Sequence, residues 1–263
     1  MICNDTKRIH FATSHANALK LSNNRYSITL PFLDTIQYFL FSELPNGDGQ
    51  LFPSKFGNNY YRIISSEQEL KEYQGFISKY RNIVFLKDNL DVSFALDLNF
   101  NITPYSHTRL GDLEYRAKYQ NDQGAIDELI KIVQSCFDSY PCLHHVDAIC
   151  AMPQKKNSDI KLPKLIVNSL QFRNPNVENI SDMVWWDKQH AIKDVQNTDD
   201  KLNILQNSVF EIDPRVNLSG KTVLLIDDLY KSGASINYAA MKLKEAGAAR
   251  VFGMCLVKSL RNS

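Results

Sequence analysis

The run Val223-Leu-Leu-Ile-Asp-Asp-Leu-Tyr-Lys-Ser-Gly-Ala-Ser235 constrains the fold of this chain more than any other stretch. Its four leading apolar residues, Val223 to Ile226, predict a strand covered on both faces. Asp227 and Asp228 follow at the carboxyl end of that strand, where open α/β sheets place their ligands. Lys231, Ser232, Gly233, Ala234 and Ser235 then open a helix that carries Ala239, Ala240, Leu243 and Ala246. The first amides of such a helix, with the two serine hydroxyls, form a cradle for phosphate. Carboxylates able to accept hydrogen bonds from sugar hydroxyls thus adjoin a phosphate cup, and the pair points to a phosphorylated sugar.

Composition narrows the remaining choices. The chain has 263 residues, enough for one large domain or two small ones, each with a buried core. Its net charge of +1 gives no global electrostatic case for nucleic acid or membrane binding. The apolar patch Phe39 to Phe41 is too short to span a bilayer, and no apolar core follows the first eight residues as a secretory signal would require. A soluble cytoplasmic protein is therefore expected. The five cysteines (3, 136, 142, 150 and 255) include no Cys-x-x-Cys pair, and the six histidines show no ligand spacing, so no structural metal is expected. Asn46-Gly-Asp-Gly49 reads as a turn, because it lacks the ligand spacing and closing Glu of a calcium loop.

Val146-Asp-Ala-Ile-Cys-Ala-Met-Pro153 predicts a second buried strand, followed by Gln154, Lys155 and Lys156 on a loop and a helix from about Leu162 to Phe172. Ile126, Leu129, Ile130, Val133 and Phe137 mark one face of a helix over 124–137. Upstream, strands are predicted at Tyr26–Leu30, Tyr60–Ile64 and Asn82–Leu86, with a helix from Glu67 to Tyr80 opened by a Ser66/Glu69 capping box. A change of pattern at Asn-Ile-Thr-Pro104 divides the chain into an α+β region, residues 1–103, and a second domain, residues 104–263.

The 223–235 stretch resembles the phosphoribosyl pyrophosphate (PRPP) motif of type I phosphoribosyltransferases. Residues 105–258 are similar to their ComF-like subgroup, where Lys118 and Tyr119 match a Lys-Tyr pair, while residues 1 to about 100 resemble no family. Two acids after an apolar strand also occur in response-regulator receivers and haloacid-type phosphatases, but those lack this serine–glycine loop. The resemblance implies a Rossmann-like, mostly parallel sheet flanked by helices, with transfer of 5-phosphoribosyl from PRPP to an acceptor such as a nucleobase. It implies Asp227 and Asp228 as ligands for the ribose hydroxyls and for magnesium, and Lys231 to Ser235 as the 5′-phosphate loop. Lys155 and Lys156 would neutralise pyrophosphate, and the stretch around Lys193 and Gln196 would be a mobile loop. Trp185, Trp186 and Tyr230 are candidates for stacking on a base, although tryptophan in the core above the sheet is the blander reading. Two departures stand out. Lys231 replaces the catalytic Asp of purine-salvage members, and the zinc-binding cysteines of many ComF proteins are missing. A PRPP-binding regulator without chemistry, or a role in DNA uptake or defence, stays open as the alternative, as does homodimerisation.

Overall fold

The computed structural model describes residues 7–44, 49–55, 57–171, 176–188, 195 and 198–260. The elements run β1 (Lys7–His10), β2 (Leu19–Ser22), β3 (Arg25–Leu30), α1 (Ile36–Glu43), β4 (Phe52–Pro53), β5 (Tyr60–Ile63), α2 (Glu67–Lys79), β6 (Val84–Lys87) and β7 (Val92–Leu98). Then follow α3 (Arg109–Tyr119), α4 (Gln123–Ser139), β8 (Ala148–Ala151), α5 (Leu162–Ser169), β9 (Glu178–Asn179) and β10 (Val184–Asp187). The chain continues through α6 (Thr198–Gln206), β11 (Val209–Ile212), β12 (Thr222–Tyr230), α7 (Ala234–Glu245) and β13 (Arg250–Lys258).

The central sheet has seven strands in the order β1-β6-β7-β13-β12-β8-β9. Five of them, β7 through β9 in that order, are parallel, and β6 and β1 add an antiparallel edge. The fold is therefore α/β with a mostly parallel sheet flanked by helices, as the sequence predicts. Alternation along β12 sends Leu224 and Ile226 into one core and Val223 and Leu225 into the other. Helices α3, α4 and α5 lie on the first face, and α7 with the antiparallel β10–β11 pair covers the second. A separate antiparallel sheet, β2-β3-β5-β4, packs near the amino terminus.

The division at 103/104 does not survive in this topology. β1, β6 and β7 all precede it, yet they extend the same sheet as β12 and β13. β7 pairs with β13 from Val92↔Phe252 to Leu98↔Lys258, a long-range register invisible to local pattern. The expected amino-terminal strands and the helix α2 are present within one or two residues. Ser66 caps α2 by accepting the Glu69 amide, while the Glu69 carboxylate turns back to Ser65 and Arg62 rather than to the cap residue itself.

The sheet order sets the position of the candidate site. From β8 the chain crosses outward to β9, and from β12 it crosses the opposite way to β13. The helices that follow, α5 and α7, consequently lie on opposite faces. Open α/β sheets form their ligand crevice at such a switch point, which here lies outside the carboxyl ends of β8 and β12.

Candidate functional site

β12 is longer than the sequence suggests, running nine residues through both acids to Tyr230. Asp227 still pairs with Cys255 of β13, but β8 ends at Ala151, opposite Ile226. The Met152 amide makes a last bond to the Ile226 carbonyl at 2.7 Å, and Pro153, which has no N–H to continue the ladder, turns the chain away. Asp227 and Asp228 thereby border the crevice, each half-buried. Burial, and then the neighbouring Asp228, raise the Asp227 carboxyl above the usual carboxylate range, against the pull of Lys188 and Lys118.

The loop beyond is held from below. Gly233 takes a left-handed φ of +79°, and a Cβ there would lie 2.1 Å from the Tyr230 hydroxyl. That hydroxyl donates to Asp88 at 2.9 Å. Asn237, on the first turn of α7, donates to the Gly233 carbonyl at 2.8 Å and accepts the Asn89 amide at 2.8 Å. Ser93 and the Leu90 amide complete the shell around Asp88. The amino-terminal region thus buttresses the serine–glycine loop, a role no local pattern announces. Ser232 and Ser235 are half-buried, Gly233 and Ala234 are buried, and Lys231 is exposed.

Two further lysines converge here. Lys188, at the end of the β10 segment, lies 3.3 Å from Ser235 Oγ and 4.0 Å from the centre of the Trp186 ring. Burial holds its ammonium below the ordinary lysine range, while Asp227 opposes that shift. Lys118, on α3, contacts Asp228 Oδ2 at 2.8 Å and Glu114 Oε1 at 3.3 Å. Burial works against its charge, yet Asp228 and then Glu114 outweigh it and raise its pKa. The segment bearing Lys118 is itself a helix rather than a lead-in to one. Thr108 caps it by accepting the Gly111 amide at 3.0 Å, and a Cβ on Gly111 would sit 2.0 Å from the Asn99 carbonyl oxygen. Only glycine lets α3 approach the end of β7 this closely.

On the other side of the crevice, Gln154 organises the loop after β8. Its amide donates to Ser158 Oγ and to the Asp159 carbonyl and accepts the Lys161 amide. Lys155 pairs with Asp187 at 3.0 Å, and Lys156 lies over the Trp185 ring at 4.3 Å. Two of the three stacking candidates are corrected. Trp186 is 1% exposed, bonds Ser208 through Nε1 and stacks on Tyr238, while Tyr230 is 2% exposed beneath the loop. Both fill the core, so neither offers a face to a base. Trp185 is half-buried with Lys156 over one face. Lys193 and Gln196 lie outside the described residues.

The surroundings of Asp227 and Asp228 already carry positive charge. Asp228 already meets the Lys118 ammonium, and Lys188 acts electrostatically on both carboxylates. Among the described residues, no three or more His, Cys, Asp or Glu side chains converge as a metal site. The four described cysteines are buried and unpaired by disulfide. No described helix is long and apolar enough to cross a membrane.

No protein-family model and no curated protein sequence matches this chain. Among solved structures it is similar to a hypoxanthine phosphoribosyltransferase from Staphylococcus aureus, at 12% identity and a TM-score of 0.31, covering 59% of this chain and 68% of that one. A hypoxanthine-guanine phosphoribosyltransferase from Bacillus anthracis matches at 13% identity and TM-score 0.31, over 61% of this chain and 75% of that one. A hypoxanthine phosphoribosyltransferase from Trypanosoma cruzi matches at 13% identity and TM-score 0.30, over 57% and 66%.

Proposed function

We propose that the crevice binds PRPP and that the protein transfers its 5-phosphoribosyl group to a small-molecule acceptor, with nucleobases the first class to screen. The observation that carries this reading is the adjacency of Asp227 and Asp228 to the loop Ser232–Ser235 at the switch point between β8 and β12. The carboxylates would accept the ribose 2′- and 3′-hydroxyls. The serine hydroxyls and the first amides of α7 would hold the 5′-phosphate, with charge from Lys188 and Lys231. Lys155 and Lys156 lie on the loop after β8, the side from which pyrophosphate would leave. The acceptor's nucleophilic atom attacks ribose C1 while the C1–O bond to pyrophosphate breaks; the bonding pair departs with pyrophosphate, and the proton that a nucleobase N–H gives up passes to solvent. Positioning and electrostatic stabilisation are the protein's contribution to such a step.

The test is pyrophosphate release from PRPP in the presence of each common nucleobase. Release with one acceptor supports the reading. PRPP binding with no release by any nucleobase removes that class and leaves another acceptor or a regulator, and a folded protein that does not bind PRPP contradicts both.

A further inference from the structure

The charge arrangement at Asp228 supports a conclusion that rests on the PRPP reading and goes past it. Lys118 is a built component of the crevice. Its partner Glu114 lies one helical turn away on α3, is 7% exposed, and has its carboxyl raised by burial. A carboxylate buried that deeply must be compensated, and the Lys118 ammonium compensates it. Glu114 in turn fixes Lys118 toward Asp228 at 2.8 Å. The helix that carries both is locked to the end of β7 through Gly111 and Thr108. A divalent cation bound directly to Asp228 would have to displace this ammonium or sit beside it, and like charges at such range repel strongly in a half-buried site.

We infer that Lys118 takes the place of a protein-bound divalent cation here, so that PRPP is held against Asp227 and Asp228 without magnesium. The ammonium supplies the positive charge beside the ribose hydroxyls, and Lys188 supplies it beside the 5′-phosphate.

Calorimetric titration of PRPP into the full chain, once with EDTA and once with magnesium, tests this. The wild type is expected to bind with affinities that differ by less than about threefold between the two conditions. Lys118→Met is expected to lose at least about tenfold in EDTA, the loss of one charge-assisted contact, and to recover much of it when magnesium is added. Lys118→Arg, which keeps the charge, should stay indifferent to the metal, and thermal melting shows that each variant is folded. Wild-type binding that needs magnesium by tenfold or more overturns the inference and leaves the PRPP reading intact. A Lys118→Met protein that binds like wild type in EDTA also overturns it. Absence of PRPP binding under both conditions overturns the inference together with the PRPP reading.

Discussion

Replacing Gly233 with alanine tests how the phosphate loop is held. Alanine at a φ of +79° incurs about 1–2 kcal/mol of left-handed strain. The new methyl would also lie 2.1 Å from the Tyr230 hydroxyl and 2.5 Å from its ring carbon Cζ. Tyr230 is packed at 2% exposure, so its ring has little room to retreat. The hydroxyl must leave Asp88, which forfeits a hydrogen bond to a half-buried carboxylate worth about 1.5–3 kcal/mol. The two contributions predict a loss of about 2.5–5 kcal/mol in urea unfolding at unchanged m-value. Tyr230→Phe alone removes only the hydroxyl and should lose about 1.5–3 kcal/mol. In the double variant the shared bond is lost once, so the combined loss should fall short of additivity by about 1 kcal/mol or more. A Gly233→Ala protein within about 0.5 kcal/mol of wild type, or strictly additive losses, would refute this account of the loop.

Three further outcomes are expected. Gly111→Ala should lower stability by about 2–4 kcal/mol in thermal unfolding despite alanine's better helix propensity, because its methyl meets backbone of Asn99 rather than a movable side chain; a stabilised variant contradicts the close approach. Lys188→Gln should weaken binding of ribose 5-phosphate by about tenfold in calorimetry, whereas an unchanged affinity removes Lys188 from the phosphate cup. Stability should also fall at alkaline pH. Burial raises the thiol of Cys136 to about 11 and those of Cys142 and Cys150 to about 12, and Cys255 lies well above its usual value. These groups keep protons that the unfolded chain releases from pH 9 upward, so their contribution is whole below that pH and is lost as pH rises through the folded values. Buried Lys258, held down to about 8, and Lys188, held below its ordinary range, act in the opposite sense, as two groups against four. The urea midpoint should therefore be lower at pH 10 than at pH 8, and a higher one contradicts the burial of these thiols.

What the sequence discloses is what local physics determines. Val223 to Ile226 had to be a covered strand, and the small residues after the acids had to open a helix, because both follow from periodicity and side-chain size. Helices α2 and α4 were legible for the same reason. β7 carries a near-continuous apolar run, Val92-Ser-Phe-Ala-Leu-Asp-Leu98, but its pairing with β13 joins residues far apart in the chain and leaves no local signal. That pairing is why residues 1–103 do not form a separate domain. In the sequence Lys118 stands out only as part of a Lys-Tyr pair, since nothing local shows that its ammonium meets Asp228 across the fold. Lys188 gave no signal at all. Trp186 and Tyr230 were candidates for a ligand because aromatic residues near a site can face inward or outward, and only packing against Tyr238 and Asp88 decides which.

The central claim is that Asp227 and Asp228 receive the ribose of PRPP. Calorimetric titration of PRPP into wild type and into the Asp227→Asn/Asp228→Asn variant tests it most directly, because two physical effects oppose each other. If the carboxylates accept ribose hydroxyls, their loss should weaken binding by at least about tenfold. If they merely border the crevice, removing two negative charges should strengthen binding of this polyanion. Weaker binding by the folded variant is the result predicted here, and equal or tighter binding would contradict the account.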